Sequence, residues 1–212
     1  MNLPNKITTV RLLLIPLFVF FYMADFIPGG WGKLVAAVIF AAACFTDFLD
    51  GKIARKRGLV TNLGKFLDPI ADKCLVMAGL ILVVAYPITA NGGTRGDLPA
   101  IIPAYVGAVA AIIILARELI ISAFRQVAAT RNIVLAADMY GKVKAVFQFI
   151  TLIYYFVYAF LIQGYFYAIE GTANTVLGIV GYVFLAVTVI MTIISGWKYI
   201  SNNIQVLKEE KK

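Results

Sequence analysis

The sequence predicts an all-α membrane protein, and three observations support this fold class. Of the 212 residues, 62% are hydrophobic and 14% are charged, whereas a soluble domain usually carries about a quarter charged residues. Six apolar segments are each long enough to cross a bilayer, which takes about 20 residues. The Lys and Arg residues are distributed unevenly between alternate loops. We therefore predict one polytopic domain, residues 1–212, with six transmembrane helices.

The six predicted helices are separated by helix-breaking or polar segments. They run roughly over residues 7–27, 33–55, 65–87, 100–127, 139–163 and 174–200. The breaks, in chain order, are Pro28-Gly29-Gly30, 55–58, Pro87 with the polar stretch 91–97, Arg131-Asn132, and 170–172. Lys6 and Arg11 precede an apolar run that Pro16 interrupts, and a small-residue cleavage site is absent. We therefore expect the first segment to be a retained helix and not a cleaved signal peptide.

The distribution of basic residues predicts the orientation of the chain. Lys33 and Arg95 are the only basic residues in the loops after helices 1, 3 and 5, so 17 of the 19 Lys and Arg residues lie elsewhere. Basic residues favour the cytoplasmic side of a membrane. Both termini, the 2–3 loop and the 4–5 loop are therefore expected in the cytoplasm.

Charge and residue usage exclude several classes of function. The net charge of +8 comes from basic residues that lie singly or in short groups beside apolar stretches, so it indicates topology and lipid headgroups and not nucleic acid. Cys44 and Cys74 lie within apolar segments and the chain has no histidine, so neither a disulfide framework nor a zinc site is expected. Acid–base chemistry must therefore use Asp, Glu, Lys, Tyr or Cys.

Four aspartates stand out in this apolar chain. Asp47 and Asp50 share one face near the cytoplasmic end of helix 2, and Asp68 and Asp72 share one face in the first turns of helix 3. A charged residue inside a membrane costs about 2.5–3.5 kcal/mol on insertion scales, so each is a candidate for function. Because a short loop joins the two helices, we expect the two pairs to face each other. An all-carboxylate set suits Mg²⁺ or Mn²⁺, and four carboxylates favour two metal ions.

Two other interpretations of these aspartates remain open. Some of them could be helix caps or ion-paired helix ends, since Asp68 precedes Pro69 as an N-cap residue would. Alternatively, the protein could be a transporter that uses membrane carboxylates to couple proton or ion movement.

The residues around the aspartates resemble the signature of the CDP-alcohol phosphotransferase family. That signature is D-x2-D-G-x2-A-R-x8-G-x3-D-x3-D, and residues 47–72 match all eight fixed positions. The family's six-helix membrane fold agrees with the predicted helices. The resemblance implies an enzyme that transfers a phosphatidyl or similar group from a CDP-linked donor to an alcohol and releases CMP.

The resemblance also implies roles for individual residues. Asp47, Asp50 and Asp68 match metal ligands, and Asp72 matches the general base, which can also contact a metal. The nucleotide side of the site is matched by Gly51, Ala54, Arg55, Gly64, Asn5 and Thr8. Family members of this kind form homodimers, which we carry over as an expectation.

Three further segments resemble the phosphatidylglycerophosphate synthase branch of this family. They are residues 2–11, 116–125 and 141–144, although Ala145 replaces the usual threonine after the last of them. The resemblance implies CDP-diacylglycerol as donor and glycerol 3-phosphate as acceptor, in a bacterial cytoplasmic membrane with the active site facing the cytoplasm. Other acceptors, giving cardiolipin, phosphatidylserine or phosphatidylinositol phosphate, remain open.

A dianionic acceptor phosphate needs a basic pocket. The candidates lie toward the cytoplasmic ends of helices 4 and 5, and they are Arg117, Arg125, Lys142 and Lys144. Arg117 and Arg125 are two turns apart on one helix face, and an arginine can hold a phosphate through two hydrogen bonds. The alternative is that some of these side chains only snorkel toward the membrane surface.

Overall fold

A computed structural model describes the backbone of residues 3–24, 26–57, 62–85, 102–131, 133, 135, 139–165 and 172–207. Within helices, the side chains of residues 3–5, 47–57, 62–66, 68 and 206–207 lie outside the description. The long helices are α1 Leu3–Met23, α2 Trp31–Arg57, α3 Asn62–Ala85, α4 Ala104–Thr130, α5 Met139–Tyr165 and α6 Thr172–Asn203. Short 3-10 turns cover Pro28–Gly30 and Ile204–Leu207. The described residues contain no β-strand, which confirms the all-α prediction for this part of the chain.

Five helical segments of the described chain are long and apolar enough to cross a membrane. They are Lys6–Met23, Pro28–Thr46, Ala104–Thr130, Met139–Tyr165 and Thr172–Asn203. Among the described residues, helix α3 does not meet this criterion, and its sequence carries Asp68, Asp72 and Lys73 in the first half. The chain is thus a multi-pass membrane protein whose third helix combines an apolar half with a charged half.

An aromatic cluster forms the centre of the helix bundle. Helix α1 packs against α2 and α3, and α5 packs against α2 on one side and α6 on the other. Phe18, Phe40 and Phe156 are each fully buried, with ring centroids 5.6 Å apart for Phe18–Phe40 and 5.2 Å apart for Phe40–Phe156. The Tyr22 ring packs edge-on against Phe156 at a centroid distance of 5.2 Å, which is the third edge-on contact of the cluster. These contacts fix α1, α2 and α5 relative to one another.

Hydrogen bonds join α5 to α6 inside the apolar bundle. The hydroxyl oxygens of Thr151 and Thr188 are 2.7 Å apart, and the Tyr155 hydroxyl donates to the Gly181 carbonyl at 2.8 Å. Polar groups in an apolar interior must be paired internally, so these bonds satisfy both helices and set their register. Helix α4 packs against both α6 and α3, and α3 also contacts α5. Helices α3, α4 and α5 therefore surround a shared space.

The Pro28–Gly30 turn packs closely against the end of α5. Gly29 and Gly30 have φ values of 66° and 71°, a left-handed conformation that glycine adopts without strain. A Cβ atom at Gly164 would lie 2.5 Å from the Gly29 carbonyl oxygen, which is too close for any real contact. Glycine at position 164 is therefore required for this helix end to meet the turn.

We expect Gly164→Ala to destabilise the protein by about 1–3 kcal/mol, since the added methyl must push two backbone segments apart. The thermal unfolding midpoint in detergent measures this change. Gly178→Ala is the matched control, because its Cβ would meet only the Tyr158 hydroxyl at an ordinary 3.6 Å. Equal midpoints for the two variants would contradict the close packing at position 164.

Candidate active site

A cavity of about 260 Å³ opens between α3, α4 and α5. It lies near the start of α3, the end of α4 and the start of α5, as expected for antiparallel neighbours that share one end of a bundle. Four basic and two acidic side chains line it. The polar lining residues are Asp72, Lys73, Arg117, Glu118, Arg125, Lys142 and Gln148. The cavity thus combines a carboxylate on α3 with an excess of positive charge on α4 and α5.

Arg117 and Arg125 line the same cavity, as their spacing of two turns along α4 predicts. The Arg125 Nε donates to the Tyr199 hydroxyl at 3.1 Å, and its guanidinium carbon lies 5.2 Å from the centre of the Tyr199 ring. Phe124 packs edge-on against that ring at 6.0 Å. Tyr199 on α6 therefore holds Arg125 in place, a role that sequence reasoning missed because the two residues are 74 positions apart.

Glu118 joins two of the predicted basic residues. Its Oε1 accepts a hydrogen bond from Arg117 Nη1 at 3.3 Å and forms an ion pair with Lys144 Nζ. The Lys144 side chain is 1% exposed, whereas the Glu118 side chain is 23% exposed. Lys144 is not part of the cavity lining, so the structure places it behind Glu118, one layer away from the cavity. Lys142, two positions earlier, lines the cavity directly.

Arg117 is held between two glycines as well as by Glu118. A Cβ atom at Gly196 on α6 would lie 3.1 Å from Arg117 Cγ, and one at Gly141 on α5 would lie 3.5 Å from Arg117 Nη2. Within the described residues, the buried Nε of Arg117 has no hydrogen-bond partner. The stem of Arg117 is thus tightly packed, and its Nε is a donor without a hydrogen-bond partner in this part of the protein.

We expect Gly196→Ala to shift Arg117 by a few tenths of an ångström. With Arg117 in the acceptor-binding role that the sequence resemblance implies, the change should raise the KM for an anionic acceptor several-fold. Misplacing a binding group by as little as about 1 Å can cost about 10²-fold in rate, so a smaller shift should have a smaller effect. Steady-state CMP release at varied acceptor concentration measures this. Gly178→Ala on the same helix is the control, and identical acceptor KM values for both variants would contradict the packing argument.

Gln148 is a second residue that sequence reasoning missed. It lies one helical turn after Lys144 on α5, is 2% exposed and lines the cavity. Neither its side-chain nitrogen nor its oxygen has a hydrogen-bond partner among the described residues. The sequence feature that could have identified Gln148 is a glutamine within an apolar helix, four positions after a lysine.

Asp72 is the one signature aspartate whose side chain the structure describes. It is partly buried on α3 and lines the cavity beside Lys73. The predicted site side chains that lie outside the described ones are Asp47, Asp50, Asp68, Gly51, Ala54, Arg55, Gly64 and Asn5. Thr8 on α1 is described and fully buried. The predicted facing of the two aspartate pairs therefore stays a prediction.

A metal site is compatible with the donor chemistry at this end of the bundle. The described side chains alone contain no group of three or more His, Cys, Asp or Glu residues that could hold an ion. However, Asp72 lies on α3 one turn after Asp68, and its carboxylate lines an open cavity. Carboxylate oxygens with room for water ligands fit a hard divalent cation such as Mg²⁺.

Comparison with known proteins identifies the family. Residues 1–198 match the family described as CDP-alcohol phosphatidyltransferase. A Bacillus subtilis (strain 168) protein named CDP-diacylglycerol--glycerol-3-phosphate 3-phosphatidyltransferase is 37% identical over 223 residues, covering 98% of this chain and 97% of the relative. A Rickettsia felis protein of the same name is 32% identical over 198 residues, covering 93% of each chain. The match extends over nearly the whole length, and this chain belongs to the CDP-alcohol phosphatidyltransferase family.

Proposed function

We propose that this protein transfers the phosphatidyl group of CDP-diacylglycerol to glycerol 3-phosphate, giving phosphatidylglycerol phosphate and CMP. The observation that carries the proposal is the cavity in which Asp72 lies with Arg117, Arg125 and Lys142. A carboxylate can accept a proton from an alcohol, and the basic groups suit an alcohol that carries a phosphate. The names of the Bacillus and Rickettsia relatives specify the same donor and acceptor.

The proposed reaction is a single displacement at phosphorus. A hydroxyl oxygen of glycerol 3-phosphate attacks the phosphorus bonded to diacylglycerol, the bond from that phosphorus to CMP breaks, and Asp72 accepts the hydroxyl proton. Asp47, Asp50, Asp68 and Asp72 would hold two divalent cations, Mg²⁺ or Mn²⁺, and these supply charge stabilisation for the pyrophosphate when bound. Gly51, Ala54, Arg55, Gly64, Asn5 and Thr8 would form the nucleotide side.

The acceptor phosphate would be bound by Arg117, Arg125 and Lys142. Tyr199 fixes the orientation of Arg125, and Glu118 with Gly196 fixes that of Arg117. Such preorganisation lowers the entropy lost when the phosphate binds. Lys144 would act through its ion pair with Glu118, which offsets the negative charge that this carboxylate brings to the cavity lining.

The proposed orientation puts this site at the cytoplasmic face of a bacterial plasma membrane. In that arrangement six helices span the membrane, with the charged start of α3 at the cytoplasmic surface and both termini inside. The excess of Lys and Arg residues at this end of the helices supports it. Reaction with glycerol 3-phosphate, a soluble anion, also requires the cavity to open to water. We further propose a homodimer.

An acceptor-competition assay tests the proposed reaction. The purified protein in detergent, with Mg²⁺ or Mn²⁺ and CDP-diacylglycerol, is offered glycerol 3-phosphate, serine, inositol phosphate and phosphatidylglycerol together. We expect CMP release that depends on glycerol 3-phosphate and yields phosphatidylglycerol phosphate. A different preferred acceptor would keep the reaction class and refute the assignment of the acceptor. CMP release without any acceptor would refute the transfer reaction itself.

A further inference from the structure

The Gln148 carboxamide is an unusual group in the wall of this cavity. Its two polar atoms are buried, and neither has a hydrogen-bond partner in the described part of the protein. A buried amide without partners is unfavourable, so a native structure that keeps one calls for an explanation such as a ligand or a bound water molecule.

Gln148 lies on α5 and lines the same cavity as the basic side chains. On α5, Gly141, Ala145 and Gln148 follow each other at four and three residues, so they share the helix face that lines the cavity. A Cβ atom at Gly141 would lie 3.5 Å from Arg117 Nη2. Gln148 lies about 10 Å further along the helix axis, at a rise of about 1.5 Å per residue. Val76, Leu115 and Phe149 are apolar residues of the same cavity lining. Gln148 therefore lies in the cavity wall among apolar as well as charged side chains.

Its chemistry differs from that of every other described lining residue. The remaining polar side chains of the cavity are all ionised types, whereas a carboxamide is neutral and both donates and accepts hydrogen bonds. An alcohol hydroxyl also donates once and accepts, so it is the natural counterpart of a carboxamide. A charged group would instead be matched by the arginine and lysine side chains of the lining.

We infer that Gln148 is a specificity-determining residue that hydrogen-bonds the non-reacting hydroxyl of a polyol phosphate acceptor. This inference rests on the proposed function, in which Arg117, Arg125 and Lys142 bind the phosphate and Asp72 takes the proton of the attacking hydroxyl. Glycerol 3-phosphate then has one hydroxyl left, the secondary one at its central carbon. Gln148 supplies a partner for that hydroxyl inside the cavity.

A structural water molecule is the competing explanation. Gln148 also borders a second cavity of about 20 Å³, which Thr151 and Thr188 line on the α5–α6 side. That volume holds about one water molecule, since a water needs roughly 10–15 Å³ by the same measure. A water there would satisfy the carboxamide without any contact to substrate.

The two explanations predict different effects of Gln148 substitutions on the preference between two acceptors. We would measure kcat/KM for glycerol 3-phosphate and for 3-hydroxypropyl phosphate, which lacks the central hydroxyl, in the wild type, Gln148→Met and Gln148→Leu. The wild type should prefer glycerol 3-phosphate by about tenfold or more, the worth of one good hydrogen bond. Both variants should lose most of that preference, with the KM for CDP-diacylglycerol unchanged.

The ratio of the two acceptors separates binding from folding, because a damaged fold lowers both values equally. Thr151→Val is the control, since Thr151 lines only the smaller cavity, and it should retain the wild-type ratio. An unchanged ratio in both Gln148 variants would overturn the inference and favour the water molecule. Turnover of glycerol 3-phosphate by the wild type tests the proposed function separately, and its absence would refute that function whatever the variants do.

Discussion

Replacing Asp72 with asparagine will lower CMP release by about 10²–10⁴-fold, the usual contribution of a general base. Asparagine has nearly the same shape as aspartate, so the cavity wall is preserved while the proposed proton acceptor is removed. Asp72 lies on the α3 side of the cavity, opposite the basic residues of α4 and α5. An acceptor whose phosphate is held by those residues would therefore present its alcohol hydroxyl toward this carboxylate.

The assay must separate lost chemistry from lost binding. The apparent affinity for CDP-diacylglycerol, measured by displacement of a fluorescent analogue, should change much less than turnover in Asp72→Asn. Cys74→Ser is the matched control, because Cys74 is exposed two positions further along the same helix and does not line the cavity. Turnover of Asp72→Asn within about tenfold of the wild type would exclude Asp72 as the base, since general bases contribute at least about 10²-fold.

The fold was predictable because a bilayer imposes strong rules on sequence. Each observed helix overlaps one of the six predicted segments, and Pro28-Gly29-Gly30 ends the first helix at the expected turn. Helix length, apolar content and helix-breaking residues are all local properties, and the membrane leaves few alternatives to a helix. The shared face of Arg117 and Arg125 was predictable for the same reason, since it follows from helical geometry alone.

The pairing of side chains between helices was not predictable. The four basic candidates look equivalent in sequence, yet the structure puts Arg117, Arg125 and Lys142 in the cavity wall and Lys144 behind it. Which lysine lines the cavity depends on how α5 packs against the other helices, and α5 contacts α2, α3 and α6 through residues far apart in the chain. Tyr199 and Gln148 were missed on the same grounds, because each owes its role to helices far away in the chain.

Glu118→Gln should destabilise the protein by about 3–5 kcal/mol. The Lys144 side chain is 1% exposed and its ammonium pairs with Glu118, so this change leaves a buried charge without its carboxylate. The neighbouring Arg117 guanidinium cannot replace the carboxylate, since it is itself positive. Thermal unfolding in detergent, followed by size-exclusion chromatography, measures the loss of folded protein.

The double variant Glu118→Gln with Lys144→Met separates stability from acceptor binding. Removing both charges of a buried pair is often neutral, so the unfolding midpoint should recover most of the loss seen in the single variant. Arg117 would still lack its charged Glu118 partner, which lies 3.3 Å away in the native protein. The double variant should therefore fold well and show a raised acceptor KM, with the KM for CDP-diacylglycerol unchanged. A wild-type acceptor KM in this variant would show that Glu118 serves only to pair Lys144 and does not position Arg117.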